Sequence, residues 1–184
     1  MADILYRRAD TDEDLRAILN LQRKNLPRAL SSAEKEKEGF VTVHHSFGIL
    51  KSMNDRCPHT IAVHNPTLAG YALCMLREFK NDIPVLVPMF AEIDKALHRL
   101  GKSDLRYLIM GQVCIDKAYR KQGIFRGLYH FMKQELSSDF DAVITEVDAE
   151  NTRSSAAHKA VGFELLTTYP SQGKNWELMM WEWK

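Results

Sequence analysis

The chain has 184 residues, of which 45% are apolar and 27% are charged, and its formal net charge is +1. This length suits one domain with a hydrophobic core, and the composition is ordinary for a globular protein. The near-neutral charge excludes a global field that would recruit nucleic acid or an anionic membrane, so any basic patch must be local.

Cysteine usage and the N-terminal residues indicate a cytosolic protein. Cys57, Cys74 and Cys114 are too few and too widely spaced for a disulfide scaffold or a metal-ligand motif. The charged opening "MADILYRRADTDEDL" differs from a secretory signal. No apolar run approaches the ~18 residues that a membrane span requires. The histidines also lack metal-ligand spacing, so we expect no metal ion.

The first half of the chain predicts a strand, two helices and a hairpin. The strand is "DILYRRA", and the first helix opens on Thr11 and Asp14, which are spaced as in a capping box, and closes near Pro27. The charged segment "SSAEKEKEGFVTV" predicts a solvated face or loop, and a second helix is expected around "HSFGILKSM". The segment "HTIAVHNPTLAGYALCMLREF" reads as a hairpin that turns at Asn65-Pro66.

The second half alternates strands and helices. A helix is expected from Met89 to Leu100, with Gly101 as its C-terminal cap, inside an insertion at about residues 81–102. The segment "LRYLIMGQVCID" predicts a central strand, in which Gly111 marks either a bulge or a packing contact. A helix then buries Ile124, Leu128, Phe131, Met132 and Leu136. The remaining elements are a strand "AVITEVD", a helix "TRSSAAHKAV" ending at Gly162, and strands "FELLTTY" and "WELMMWEW".

The segment "AYRKQGIFRGLY" joins the central strand to the next helix. A helix N-terminus offers unpaired N–H groups and partial positive charge, so it can bind a phosphate. Gly123 would let a ligand approach the backbone closely, and Arg120, Lys121 and Arg126 add positive charge. This chemistry suits a diphosphate. The alternative is a basic, solvent-facing helix start that binds nothing, since neither the Walker motif nor the dinucleotide fingerprint occurs here.

Two motifs in order resemble those of the GNAT superfamily of N-acetyltransferases. The first is the acetyl-coenzyme A signature Arg/Gln-x-x-Gly-x-Gly/Ala, carried by Arg120, Gly123 and Phe125, where phenylalanine departs from the usual glycine or alanine. The second is "AENTRSSAAHKAVGFE", which is similar to Asn-x-x-Ser/Ala-x-x-x-Tyr/His-x-x-x-Gly-Phe in that family. The resemblance runs through most of the chain. It implies a single GNAT-like α/β domain over residues 1–184, with a mixed, mostly antiparallel sheet flanked by helices and a splayed central strand pair.

The resemblance also implies roles for individual residues. The coenzyme A diphosphate would bind backbone N–H groups of the loop and helix start, and the pantetheine arm would pair with the end of the central strand. Asn151 would contact the pantetheine or the adjacent loop, although it also suits a helix cap. The implied cofactor-binding residues are Val113, Cys114, Ile115, Arg120, Lys121, Gln122, Gly123, Ile124, Phe125, Arg126, Gly127 and Asn151.

Acetyl transfer to an amine requires a base for the ammonium and a proton for the departing thiolate. His158 stands where the family commonly has a proton-donating tyrosine, but it also suits a packed helix residue. Glu146 and Asp148 lie two apart on one strand face, and either is a candidate base or a solvated carboxylate. Gln112 cannot act as a base. Cys114 could be acylated, but it fits a buried structural thiol better.

Two functions remain open from the sequence. The first is an enzyme that moves an acetyl group from acetyl-coenzyme A to a primary amine of a small molecule or a protein. The second is a non-catalytic acyl-coenzyme A-binding or regulatory protein on the same fold. The partners expected are an amine substrate and no nucleic acid or membrane, in a monomer or homodimer. The insertion at about 81–102 is expected to shape the acceptor site.

Overall fold

The computed structural model describes residues 3–25 and 44–184. Its strands form one seven-stranded sheet in the order β1-β2-β3-β4-β5-β7-β6. The strands are β1 Leu5–Arg8, β2 Thr60–His64, β3 Thr67–Met75, β4 Tyr107–Ile115, β5 Ala142–Asp148, β6 Glu164–Ser171 and β7 Lys174–Glu182.

Helices flank this sheet, which gives a mixed α/β fold. The α-helices of the described residues are α1 Asp12–Lys24, α2 Phe47–Arg56, α3 Val87–Arg99, α4 Ile124–Leu136 and α5 Thr152–Val161, and short 3₁₀ turns cover Arg77–Asn81, Pro84–Leu86 and Lys117–Tyr119. The chain divides into two compact units, one made of residues 1–75 and 110–135 and the other of 76–109 and 136–184. The two units are described separately below.

The first unit is built on antiparallel pairing of β1 with β2 and of β2 with β3. Helix α1 begins where predicted, because the Thr11 side chain accepts from the Asp14 N–H and the Asp14 carboxylate accepts from the Thr11 N–H. The apolar face of α1 then packs on the sheet. The core cluster so formed contains Ala9, Leu15, Ile18, Leu21, Leu50, Ile61, Tyr71, Leu73 and Cys114.

The second unit contains the start of β4 and the last three strands. The start of β4 pairs in parallel with β5, over Tyr107–Ile109 and Ala142–Ile144. This ladder is short, since β4 continues to Ile115 and β5 to Asp148. Strand β7 pairs in antiparallel with β5 along the full length of β5, and with β6 on its other edge. Helix α3 packs against β6 and β7.

The predicted fold class and order of elements are confirmed, with local differences. The end of the predicted hairpin, "REF", is a 3₁₀ turn rather than strand. Phe131 is only partly buried, whereas the other predicted apolar positions of α4 are buried. The nearest atoms to a Cβ built on Gly111 belong to Met75, at 4.0 Å, so sterics do not explain this glycine. Pro27 and the segment "SSAEKEKEGFVTV" lie outside the described residues.

Within the described ranges, no helix is long and apolar enough to cross a membrane.

Candidate functional site

In the first unit, the loop between β4 and α4 has the backbone of an anion-binding turn. Lys121 and Gly123 both adopt left-handed backbone conformations, with φ of 62° and 79°. Turns of this kind direct successive N–H groups into one concave surface. Helix α4 starts immediately after them at Ile124, so its unpaired N–H groups add to the same end. The predicted phosphate-binding loop therefore has a suitable backbone.

The side chains of this loop leave its backbone accessible. Lys121, Gln122, Gly123 and Arg126 are exposed, whereas Ile124 is 1% exposed and anchors the helix start in the core. A Cβ added to Gly123 would meet no described atom within 4 Å. Space is thus open beside the N–H groups on which the diphosphate prediction depends.

Phe125, which departs from the family signature, packs within its own helix. Its ring lies 5.1 Å from that of Tyr129, one turn further along α4, and Tyr129 is fully buried. Phe125 itself is partly buried. The phenyl group thus has a packing partner one turn away, so the departure is compatible with a regular helix start.

The Arg120 side chain joins elements of the first unit. Its Nε donates to the Ile115 carbonyl at 3.2 Å and its Nη2 donates to Asn25 Oδ1 at 2.9 Å. Asn25 is the C-cap of α1, is 3% exposed, and donates through Nδ2 to the Leu21 carbonyl at 3.0 Å. The guanidinium therefore links the ends of β4 and α1. The sequence analysis did not anticipate this contact, and the expectation that Arg120 adds local positive charge stays a prediction.

Gly127 has a packing reason that the sequence analysis missed. A Cβ at this position would overlap the phenol ring of Tyr6, from β1. The Tyr6 ring also stacks on Phe131 of α4, with 6.5 Å between centroids. Glycine at 127 therefore lets β1 approach α4 closely. No short-range sequence signal identifies Tyr6 as the neighbour.

The end of β4 presents an alternating pattern. Val113 and Ile115 are partly exposed, whereas Cys114 is buried on the face covered by α1. Burial raises the pKa of the Cys114 thiol to about 12, so the thiol is neutral near physiological pH. This protonation state supports a structural cysteine rather than an acylated nucleophile.

In the second unit, the two candidate bases on β5, Glu146 and Asp148, have different surroundings. The Glu146 carboxylate accepts a hydrogen bond from the Tyr169 hydroxyl of β6. Burial raises the pKa of Glu146 to about 7, while the Tyr169 hydrogen bond acts to lower it. A carboxylate with this pKa can accept and release a proton near neutrality. The sequence analysis named Glu146 but missed Tyr169.

Asp148, in contrast, is held by structural contacts. It is 6% exposed, and its Oδ1 accepts from the Glu150 N–H at 3.0 Å. Its Oδ2 accepts from Lys174, the first residue of β7. A carboxylate that is hydrogen-bonded to a turn and to a lysine is better suited to stabilising the end of β5 than to acting as a base.

Burial also affects the candidate acid, His158. The side chain is 1% exposed, its Nδ1–H donates to the Ser154 carbonyl at 2.8 Å, and its ring meets Phe163 edge-on at 5.1 Å. Burial lowers the pKa of His158 to about 4, so the imidazole is neutral near pH 7. A proton-donating role stays a prediction, and burial is a physical reason against it.

Asn151 caps α5. Its side chain accepts from the Ser154 N–H at 3.1 Å, as expected for an N-cap. This contact supports the simpler of the two roles considered for Asn151, and a pantetheine contact stays a prediction.

The inserted helix α3 lies near the Glu146–Tyr169 pair. Burial raises the pKa of Tyr169 above its ordinary value, Glu146 adds to that effect, and Glu92 of α3 contributes further. Glu92 also accepts a hydrogen bond from Lys95 at 2.8 Å. The insertion thus brings an acidic side chain toward the candidate base.

Across the residues that the structure describes, no group of three or more His, Cys, Asp or Glu side chains could hold a metal ion.

Solved structures share this fold. The ribosomal-protein-S18-alanine N-acetyltransferase of Escherichia coli has a TM-score of 0.64 at 16% identity, covering 97% of this chain and 93% of that one. NAA60 of Arabidopsis thaliana, in complex with acetyl-CoA, has a TM-score of 0.65 at 16% identity, covering 97% and 99%. The protein yncA of Salmonella typhimurium, with its cofactor acetyl-CoA, has a TM-score of 0.64 at 13% identity, covering 98% and 94%.

At such low identities these likenesses establish the fold alone. No curated protein sequence matches this chain. The sequence model of the acetyltransferase (GNAT) family matches residues 15–163. This match covers most of the chain. The chain therefore belongs to the acetyltransferase (GNAT) family.

Proposed function

We propose that this protein is an N-acetyltransferase that moves the acetyl group of acetyl-coenzyme A to a primary amine. The observation that carries the proposal is the loop that opens α4, where Lys121 and Gly123 are left-handed and the helix N-terminus follows. Membership of the acetyltransferase family supports the same conclusion. Structures of NAA60 and yncA contain acetyl-CoA, which supports acetyl-coenzyme A as the cosubstrate here.

The proposed cofactor contacts follow from the loop. Backbone N–H groups of residues 122–126 would bind the diphosphate, and the exposed side chains of Lys121 and Arg126 would add positive charge. The Gly127 N–H, which was expected to contribute, donates instead to the Gly123 carbonyl at 3.0 Å as the first bond of the helix. The strand end Val113–Ile115 would pair with the pantetheine arm through its backbone. Arg120 would keep the loop in shape through its bonds to Ile115 and Asn25.

The reaction forms one bond and breaks another. The neutral amine attacks the thioester carbonyl carbon, a C–N bond forms, and the C–S bond breaks with its electron pair on sulfur. One proton leaves the nitrogen and one proton is taken up by the thiolate, so the products are an amide and a free thiol. Alkyl ammonium groups have a pKa near ~10.4, so a base is needed near neutral pH.

Glu146 is the proposed base. Burial raises its pKa to about 7, which makes it a stronger proton acceptor than an ordinary surface carboxylate while leaving a large fraction ionised at neutral pH. The Tyr169 hydroxyl orients the carboxylate through its hydrogen bond. The source of the thiolate proton stays open between His158 and water, since the buried imidazole is neutral.

The proposed acceptor is a primary amine whose identity is set in part by the insertion. Helix α3 packs on β6 and β7, and its Glu92 contributes to the electrostatics of Tyr169. This arrangement supports the expectation that residues 81–102 shape the acceptor site. Replacing α3 should then change the KM for the amine and leave the KM for acetyl-coenzyme A nearly constant.

A second candidate function is binding of acyl-coenzyme A without catalysis. Phe125 favours it, because a phenyl group stands where the family signature has glycine or alanine and so lies beside the proposed diphosphate site. The N-acetyltransferase proposal is preferred because the second unit contains a carboxylate with a pKa near neutrality.

Two further expectations belong to the same proposal. The family match crosses both compact units, which supports one catalytic domain over residues 1–184. Cys57, Cys74 and Cys114 are buried thiols outside any disulfide, as suits a reducing, cytosolic compartment. We propose a monomer or homodimer that requires neither nucleic acid nor membrane.

The test is a thiol-detection assay of coenzyme A release over a panel of amines, with acetyl-coenzyme A binding measured by calorimetry in parallel. The panel should contain small amines, amino acids, polyamines and peptides with a free N-terminus or lysine. Binding with amine-dependent release supports the transferase. Binding without release from any amine supports the non-catalytic alternative, and absence of binding contradicts both.

A further inference from the structure

Two of the three cysteines lie together in the first unit, although they are far apart in the chain. Cys57 is the C-cap of α2, and Cys74 lies in β3. Cys57 is 5% exposed and Cys74 is fully buried, and their side chains are hydrogen-bonded to each other. We call Cys57 and Cys74 the thiol pair. The two sulfur atoms of the pair are therefore already in contact.

The pairing of three strands places Arg8 beside the thiol pair. Arg8 of β1 pairs with Thr60 of β2, and Thr60 pairs with Ala72 of β3. Cys74 is two residues after Ala72, so it lies on the same face of the sheet. Cys114 belongs to the core cluster under α1, together with the alternate residues of β3. The thiol pair is therefore separated from Cys114 by the sheet.

The Arg8 guanidinium contacts the thiol pair directly. Its Nη2 donates to Cys57 Sγ at 3.5 Å. Its Nε is buried and has no hydrogen-bond partner in the described part of the chain. The positive charge of the guanidinium thus lies against sulfur. A cationic group beside a cysteine stabilises the thiolate, which is the nucleophilic form of the side chain.

Cys74 is the member of the pair that keeps its proton. The hydrogen bond with Cys57 and burial raise the pKa of the Cys74 thiol well above its ordinary value. The charge of Arg8 and the Thr60 hydroxyl act to lower this pKa, but they do not offset the increase. The two sulfurs therefore differ. Arg8 and the Cys74 S–H both support a thiolate at Cys57, whereas Cys74 stays a thiol.

Packing alone does not explain the guanidinium in this place. A buried cysteine packs as a small apolar side chain and needs no charged neighbour. A buried N–H group without a partner destabilises the fold, and an apolar side chain at position 8 would avoid that cost. Arg8 supplies the thiol pair with positive charge, which matters for the reactivity of Cys57 and not for its packing.

We propose that Cys57 and Cys74 form a reversible disulfide on exposure to hydrogen peroxide, with Cys57 as the reacting thiolate and Arg8 as the residue that activates it. The proposal is independent of the proposed function above. Disulfides of this kind in a reducing compartment are transient and sense the redox state. The new bond would join the end of α2 to β3.

The oxidation proceeds in two balanced steps. The Cys57 sulfur attacks one peroxide oxygen, so an S–O bond forms, the O–O bond breaks and one water leaves. The Cys74 sulfur then attacks the Cys57 sulfur, the S–S bond forms at ~2.05 Å, and a second water leaves with the Cys74 proton. Two thiols are oxidised by two electrons, and one peroxide is reduced to two waters.

The test treats folded wild-type protein with hydrogen peroxide, then unfolds it and counts the remaining thiols. The chain has three cysteines, and the count should fall from three to one. Peptide mapping after alkylation should show Cys57 linked to Cys74 within one chain, and a dithiol reductant should restore all three thiols. Cys114 is the internal control, because burial raises the pKa of its thiol to about 12 and it should stay unmodified.

Variants separate the roles of the three residues. Cys74→Ser should be oxidised at Cys57 to a sulfenic acid that dimedone traps, whereas Cys57→Ser should keep both of its remaining thiols. Cys114→Ser is the matched control and should form the disulfide at the wild-type rate. Arg8→Leu should slow the loss of thiols at least roughly fivefold, and Arg8→Lys, which keeps the charge, should slow it less.

Each outcome decides the proposal. Three thiols retained in treated wild-type protein, a linkage that includes Cys114, or a disulfide between two chains would overturn it. A disulfide that forms as fast in Arg8→Leu as in wild type would overturn the activation by Arg8. The wild-type measurement needs no variant, so a variant that fails to fold does not affect the main result. No readout uses acetyl-coenzyme A or an amine, so failure here leaves the proposed function intact.

Discussion

The Tyr169 hydroxyl donates a hydrogen bond to the Glu146 carboxylate across the strand that separates them. Strand β7 lies between β5 and β6, and its Leu178 pairs with Glu146 on one side and with Thr167 on the other. Tyr169 lies two residues after Thr167 and therefore on the same face of β6. Its long side chain reaches across β7 to Glu146 on β5. The bond orients a partly buried carboxylate whose pKa is near neutrality.

Replacing Glu146 with glutamine should lower kcat/KM and remove its acid limb. A base with a pKa of about 7 is protonated below that pH and active above it, so the wild-type rate should rise through about pH 7. The loss should be on the order of 10²-fold, the usual effect of a general base. The measurement is a pH–rate profile of coenzyme A release with the best amine.

Tyr169→Phe and Glu150→Gln complete that experiment. The Tyr169 hydrogen bond lowers the pKa of Glu146, so its removal should move the acid limb to higher pH. Glu150 is exposed and close in sequence, so Glu150→Gln should leave the profile unchanged. An unaltered acid limb in Glu146→Gln would exclude Glu146 as the base.

Replacing Gly123 with glutamate should weaken acetyl-coenzyme A binding at least roughly tenfold, equivalent to ~1.4 kcal/mol. The new carboxylate would stand beside the proposed diphosphate, and φ of 79° disfavours any side chain. Gly173→Glu is the matched control, because Gly173 has φ of 75° in the β6–β7 turn and the same strain. Calorimetric titration measures both. Equal affinity in folded Gly123→Glu and wild type would place the diphosphate elsewhere.

Removing either Arg120 or Asn25 should weaken acetyl-coenzyme A binding in the same way. The Arg120 guanidinium donates to Asn25 Oδ1 at 2.9 Å, so each alanine variant releases the loop from the end of α1. Because the two side chains share one contact, the double variant should be less than additive. If Arg120→Ala alone weakens binding and Asn25→Ala does not, the guanidinium contacts the ligand directly.

His158→Phe should affect stability more than catalysis. The imidazole is neutral near pH 7 because burial lowers its pKa to about 4, so it is a poor proton donor there. We expect kcat within about threefold of wild type and a lower Tm, since the bond to the Ser154 carbonyl is lost. A loss of ~10²-fold in kcat at unchanged Tm would restore His158 as the acid.

The pH dependence of stability supplies a second readout for His158. The folded-state pKa lies below the unfolded value of ~6.5, so the neutral ring stabilises the fold above that pH. That contribution should be lost as the pH falls from about 6.5 toward about 4. The free energy of unfolding of His158→Phe should therefore fall less over this range than that of wild type.

Local signals were read correctly from the sequence because their physics is local. The Thr11–Asp14 capping box, the Asn151 cap and the Gly101 turn each join residues within one helical turn or at its end. The left-handed turn at Lys121 and Gly123 belongs to the same class, since glycine and a strand-to-helix change are visible in a short window, while phosphate binding there stays a prediction. The period of the apolar residues then indicated the element order and an α/β domain, whereas the mostly antiparallel sheet was expected from the resemblance to the GNAT superfamily.

The tertiary structure decided which contacts the candidate site residues make. Asp148 and Glu146 look alike in the sequence, but Lys174 binds the first and Tyr169 orients the second. Gly127 is small because Tyr6 of the first strand lies against it. Such contacts join residues far apart in the chain, and burial depends on the packing of the surrounding elements. The pattern of a single sequence contains neither the contacts between distant residues nor the burial of a side chain. The pKa shifts and the hydrogen bonds that orient side chains were therefore visible only in the fold.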